Sequence, residues 1–142
     1  MLNSRISFRQ ASYGQQVIEL MSDHFQKVPE HRAPQAKIPL ADALMSGYAL
    51  FSLKFPSLLQ FEEERRKRKV CPKNLEAIYQ VSRIPSDTQM REIVDKVQPS
   101  NVKDLFPKVF EWVRRKKLLQ PYEFWNHRYE GYYLASVDGT GY

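Results

Sequence analysis

The chain has 142 residues, 42% hydrophobic and 13% aromatic, with a formal charge of +6 and a pI near 9.5. That length holds one domain, or one small domain and a tail, and the apolar fraction supports a core, which excludes a wholly disordered chain. The positive balance favours a polyanionic partner, nucleic acid being the usual one, and no stretch nears the roughly 20 apolar residues of a membrane helix.

Cys71 is the only cysteine, so an intramolecular disulfide is excluded. Met1 to Arg5 lead into no apolar segment of the signal-peptide kind, and a cytoplasmic protein is expected. His24, His31 and His127 lie far from Cys71 and from one another; without metal-ligand spacing they read as surface or interface residues.

In chain order, Val17, Ile18, Leu20, Met21 and Phe25 make one apolar stripe, predicting a first helix over 12–27 with Ser12 as its N-cap. Pro29, Pro34 and Pro39 punctuate a basic connector, Val28 to Ile38, which reads as a loop because prolines remove donors and favour extended neighbours. From Leu40, the residues Leu44, Met45, Tyr48, Ala49, Phe51, Ser52 and Phe55 run almost without charge and predict a buried central helix, with Asp42 in its first turn suiting the helix dipole.

Pro56-Ser57 restarts the chain into Leu58, Leu59 and Phe61, then Glu62 to Lys69, where Glu62, Glu63 and Glu64 each have a base four residues on. Acid before base is the favourable order on a helix, worth about 0.2–0.5 kcal/mol per pair. A solvated helix accounts for the run; a phosphate-binding stripe is the other reading, with Arg65 and Lys69 left over for it.

Leu75, Ile78 and Tyr79 give Asn74 to Tyr79 an apolar face, Val81 to Pro85 interrupts it, and Ser86 opens a further helix with Met90, Ile93, Val94 and Val97 inward. Ser86 with Gln89 three residues on is a capping-box pattern. Helix, short turn, helix fits a DNA-binding helix-turn-helix and equally the many folds with that arrangement that never meet DNA. In the first case Thr88, Gln89, Arg91 and Glu92 face bases and phosphates.

After Pro99-Ser100, a further helical stretch carries Val102, Leu105, Phe106, Val109, Phe110 and Val113 at three- and four-residue spacing, with Pro107 bending or restarting it. Arg114, Arg115, Lys116 and Lys117 fall in its last turn, as a basic helix end and as DNA contacts. Gln120 to Tyr129 reads as an aromatic loop. Tyr132, Tyr133, Leu134, Ala135 and Val137, bounded by Glu130-Gly131 and Asp138-Gly139, predict a single short strand near 132–137 with Asp138 at its end. By spacing alone, Asp138-Gly139 is a hairpin turn.

The tyrosine-rich strand running into Ser136-Val137-Asp138-Gly139-Thr140-Gly141-Tyr142 resembles the first catalytic strand of insertion-sequence DDE transposases. The likeness is close over 132–142, looser over Ser86 to Arg91 and Gln120 to Arg128, and elsewhere rests on the order of elements. It implies a mainly α chain: a helical bundle with a helix-turn-helix over 1–128, binding the double-stranded DNA of transposon ends, and the first strand of an RNase H-like catalytic domain over 129–142. It further implies that Asp138 is a metal ligand for Mg²⁺ or Mn²⁺ in the complete enzyme. The sequence stops at Tyr142, before the other two acids of that family, and one carboxylate cannot hold two cations about 3.5–4 Å apart. The chain is therefore expected to be inactive alone and to need no cofactor. A homodimer is compatible with this reading. The alternatives are a stand-alone helical DNA-binding regulator and a helical protein-interaction domain.

Overall fold

A computed structural model describes residues 6–68, 70–126 and 129–133. It is mainly helical. Helix α1 spans Ile6–Phe25, α2 Leu40–Ser52, α3 Leu58–Lys67, α4 Val70–Tyr79, α5 Asp87–Val94, α6 Ser100–Lys103 and α7 Leu105–Arg115. A 3₁₀ turn, Gln120–Tyr122, and two short strands, β1 Phe124–Asn126 and β2 Tyr129–Tyr132, follow. The chain divides between Phe106 and Pro107 into two compact units.

The first unit is built around α2, as its nearly uncharged sequence predicts. Helices α1, α4 and α5 all pack on it. Ala43, Ser46 and Ala49 are wholly buried, and side chains this small let neighbouring backbones approach closely. Ser46 places its hydroxyl without an outside partner by donating to the Asp42 carbonyl at 2.7 Å. Ile18 and Phe25 from α1, Leu40, Met45 and Leu50 from α2, Phe61 from α3, Leu75 from α4 and Met90 and Ile93 from α5 are buried with them in the core. Each such side chain contributes about 1.5–3 kcal/mol by leaving water. Phe51, predicted inward, is 78% exposed. Periodicity assigns faces to a helix but does not say how far its neighbours extend along it.

Most helix boundaries have identifiable causes. Ser57 caps α3 by accepting the Gln60 N–H at 3.1 Å. The helix then carries the three ion pairs its spacing predicts, Glu62–Arg66, Glu63–Lys67 and Glu64–Arg68. Helix α4 begins at Val70, earlier than the predicted Asn74, because Pro72 falls in its first turn, where a missing N–H costs nothing. The predicted capping box at α5 is present in full: Ser86 Oγ accepts from the Gln89 N–H at 3.3 Å and the Ser86 N–H donates to Gln89 Oε1 at 3.0 Å. Pro107 likewise lies in the first turn of α7, which restarts after α6. Ser12 is not a cap. Helix α1 runs upstream of it to Ile6, and a serine caps only where the backbone leaves the helix.

Among the described residues, three helix ends place a residue with a side chain in the left-handed region, Lys54, Gln80 and Lys117. After α2, the Lys54 N–H bonds Phe51 O and the Phe55 N–H bonds Leu50 O, a Schellman closure. It delivers Phe55 against Phe61, edge to face at 5.2 Å. Lys117 closes α7 in the same way, through Arg114 O and Val113 O.

The connector 28–38 is a loop, as predicted, and Glu30 ties it to the start of α2. The Glu30 carboxylate accepts from Arg32 Nε and Nη2 at 2.8 and 2.7 Å and from the Leu40 N–H at 3.2 Å. Pro39, the N-cap of α2, offers no side-chain cap, so Glu30 does that work from ten residues upstream.

In the second unit, β1 and β2 form an antiparallel hairpin, Phe124 opposite Tyr132 and Asn126 opposite Tyr129. The segment between the two pairs is one residue longer on β2, a bulge. Residues 120–129, predicted as a loop, thus contribute a helical turn and a strand. Pro121 sits inside the 3₁₀ turn instead of breaking the chain, and the aromatics that follow favour extended backbone. Among the described residues no strand precedes Phe124. The predicted strand at 132–137 and Asp138 lie, beyond Tyr133, outside the described residues.

Candidate nucleic-acid interface

Two groups of predicted contact residues can be located, one in each unit. The first is α5. Two buried carboxylates from other helices set its position. Glu62 of α3, only 9% exposed, accepts the Asp87 N–H that opens α5 at 2.9 Å. Asp42 of α2, 8% exposed, accepts from Ser82 Oγ and the Arg83 N–H, both at 2.7 Å, in the connection leading to α5. Charge-assisted bonds of this kind are worth about 1.5–3 kcal/mol each. They anchor the near side of α5, while Met90 and Ile93 bury its apolar face.

The opposite face of α5 carries Thr88, Gln89, Arg91 and Glu92, all exposed. Arg91 donates from Nε to Asp87 at 2.9 Å. An exposed pair like this is worth about 0–1 kcal/mol, so a phosphate can displace the aspartate. The Gln89 carboxamide oxygen holds the capping box, so a base contact from that atom would open the helix cap. The connection between α4 and α5, residues 80–86, is longer than the three or four residues of a DNA-binding helix-turn-helix. The two helices share their supports: α4 packs on α1, α2 and α3, and α5 on α2 and α3.

Beside α5 lies a cleft of about 300 Å³ bordered by Arg32, Lys37, Gln89, Glu92 and Lys96. Sequence reasoning missed Lys37 and Lys96 as basic neighbours of this face. The signal for Lys96 was present, seven residues after Gln89 and so on the same side. Lys37 reaches the cleft only because the connector folds back, held where Arg83 Nη1 donates to the Lys37 carbonyl.

Arg65, expected to be free for phosphate, is turned inward. It lies 3.8 Å from Glu62, its side chain is 22% exposed, and its Nε is buried without a hydrogen-bond partner. The reason is helical phase. Arg65 is four residues after the buried Phe61 and shares its face. Lys69 lies outside the described residues.

The second group is the end of α7. Glu111 accepts from Arg114 Nε and Nη2, both at 2.8 Å, and from Arg115 Nε at 2.9 Å. The Arg114 hydrogen bonds, then those of Arg115, hold its carboxyl down to about 2, and the same bonds raise the Arg114 pKa. Arg114 and Arg115 therefore share one acid. Lys116 and Lys117 are exposed and without an acidic partner among the described residues. The group keeps a net positive charge.

The apolar stripe of this helix is only partly covered. Leu105 is buried, while Phe106 and Phe110 are exposed. Of the histidines, His24 Nε2 donates to the Asn101 carbonyl at 2.9 Å, and His31 is exposed. Burial pushes the Cys71 thiol up, with Glu64 adding to the effect. No three His, Cys, Asp or Glu side chains converge among the described residues; Asp138, the carboxylate the resemblance assigns to a metal, lies outside them. No helix among the described residues is long and apolar enough to cross a membrane. Comparison with protein families, with curated proteins and with solved structures finds no match to this chain.

Proposed function

We propose that this chain belongs to an insertion-sequence DDE transposase and binds DNA, acting in the cytoplasm on the duplex ends of its element. The observation that carries the DNA reading is the exposed cationic group at the end of α7, four consecutive bases of which two share Glu111 and two have no acidic partner among the described residues. The solvent face of α5, with Arg91, Lys96 and Lys37 around Thr88 and Gln89, supports it as a second contact. The enzyme class rests on the resemblance at 132–142. In a longer relative that retains the later acids, Asp138 would help hold Mg²⁺ or Mn²⁺, and Asp138→Asn should abolish cleavage while sparing binding.

The test is a titration of labelled duplex DNA at low and rising salt. Binding that weakens steeply with salt supports the reading, because neutralised phosphates release counterions. No binding to any duplex at low salt sinks it. A helical protein-interaction domain is the second reading, favoured by exposed Phe51, Leu53, Val70 and Ile78 in the first unit. A stand-alone DNA-binding regulator shares the binding test and differs only in lacking a catalytic partner segment.

A further inference from the structure

The second unit combines two features that duplex binding leaves partly unused. Its hairpin and the turn before it present large rings to water: Tyr122, Phe124 and Tyr132 are 75%, 64% and 55% exposed, and Tyr133 is 39% exposed. Immediately upstream stand the four bases of the α7 end. The two features adjoin in space. The Gln120 N–H donates to the Lys117 carbonyl at 3.3 Å, which joins the end of α7 to the turn that carries Tyr122, and Tyr133 donates its hydroxyl to Glu123 at 2.8 Å, which ties the hairpin to the same turn. The cationic helix end and the aromatic hairpin thus belong to one surface.

We propose that this surface binds an unpaired nucleic-acid strand, with bases stacking on Tyr122 and Phe124 and phosphates lying along Arg115, Lys116 and Lys117. The inference deepens the DNA-binding reading and rests on it. The physical argument is complementarity of two kinds. A single strand offers free π faces and a regular line of negative charge, and aromatic platforms beside cations are how proteins hold it. A duplex offers the charge, but its bases are already stacked on one another. A purely apolar partner would leave the cations unused.

The experiment measures binding of the full chain to a labelled oligothymidylate of roughly 16 nucleotides, to its ribo counterpart and to a duplex of the same length. Oligothymidylate binding that falls at least roughly five-fold in Phe124→Ala, and again in Tyr122→Ala, with duplex binding unchanged, supports the proposal. Phe124→Leu separates stacking from strand stability, since it keeps an apolar side chain without a π face; it should lose affinity like Phe124→Ala, with an unchanged melting curve. The ribo oligonucleotide decides whether the strand is DNA or RNA.

Duplex binding without single-strand binding overturns this inference and leaves the duplex reading standing. Absence of both overturns both. Single-strand affinity retained in Phe124→Leu rejects stacking. If sedimentation shows a dimer that Tyr122→Ala and Phe124→Ala dissolve while single-strand binding persists, the face belongs to a second copy and the proposal fails.

Discussion

At the scale of single residues, Lys54 is the plainest case of a side chain in a backbone state made for glycine. Its left-handed conformation costs an L-residue roughly 1–2 kcal/mol, and glycine gives back about half of that through its freer unfolded chain. Lys54→Gly should therefore raise stability by roughly 0.5 kcal/mol in urea denaturation; a loss of stability would mean that Lys54 makes a compensating contact. Glu30 provides a pH test. The Arg32 hydrogen bonds lower its pKa to about 2. A carboxyl lowered by folding contributes stability above its unfolded pKa and loses it as pH falls through the folded one. The contribution should be complete above about pH 4.5 and vanish towards pH 2. The side chain is 35% exposed, so solvent screening limits the effect to about 1 kcal/mol. Glu30→Gln should flatten the acid limb of stability against pH across that window; an unchanged limb would show that the clasp contributes nothing.

At the scale of elements, α5 is held by acids that belong to other helices. Asp42→Ala removes two bonds at 2.7 Å and leaves the Arg83 N–H without its partner, so it should cost about 2–3 kcal/mol in chemical denaturation. If DNA contact runs through α5, duplex affinity should fall as well, even though Asp42 is buried and touches no solvent-facing base. The capping box at Ser86 and Gln89 and the acid–base ladder of α3 were legible because both are local, set by spacings of three and four. The roles of Asp42 and Glu62 were not. Each sits in an ordinary helical position and finds its partners in segments distant in sequence, Ser82, Arg83 and Asp87. The hairpin at 124–132 was misread because proline and charge look like a loop until the strands pair.

At the scale of the whole molecule, the proposed activity is electrostatic and its salt dependence is the measurable quantity. Each phosphate neutralised contributes about 0.9 to the slope of log affinity against log salt on duplex DNA. Replacing both Lys116 and Lys117 by alanine should reduce that slope by roughly 2 and weaken binding to all duplex sequences alike; an unchanged slope would remove the α7 end from the interface. The same change at Arg65 should leave the slope alone, because its guanidinium is turned against Glu62. The sequence by itself determined the helical class, the central buried α2, the capping of α5 and the positions of the basic runs. These follow from periodicity, propensity and charge, which act over a few residues. Only the tertiary structure decided which cations remain exposed, which carboxylates are buried as anchors and where the aromatics of the second unit meet the basic helix end. Those outcomes depend on which faces meet across long chain separations, and neither period nor composition encodes that meeting.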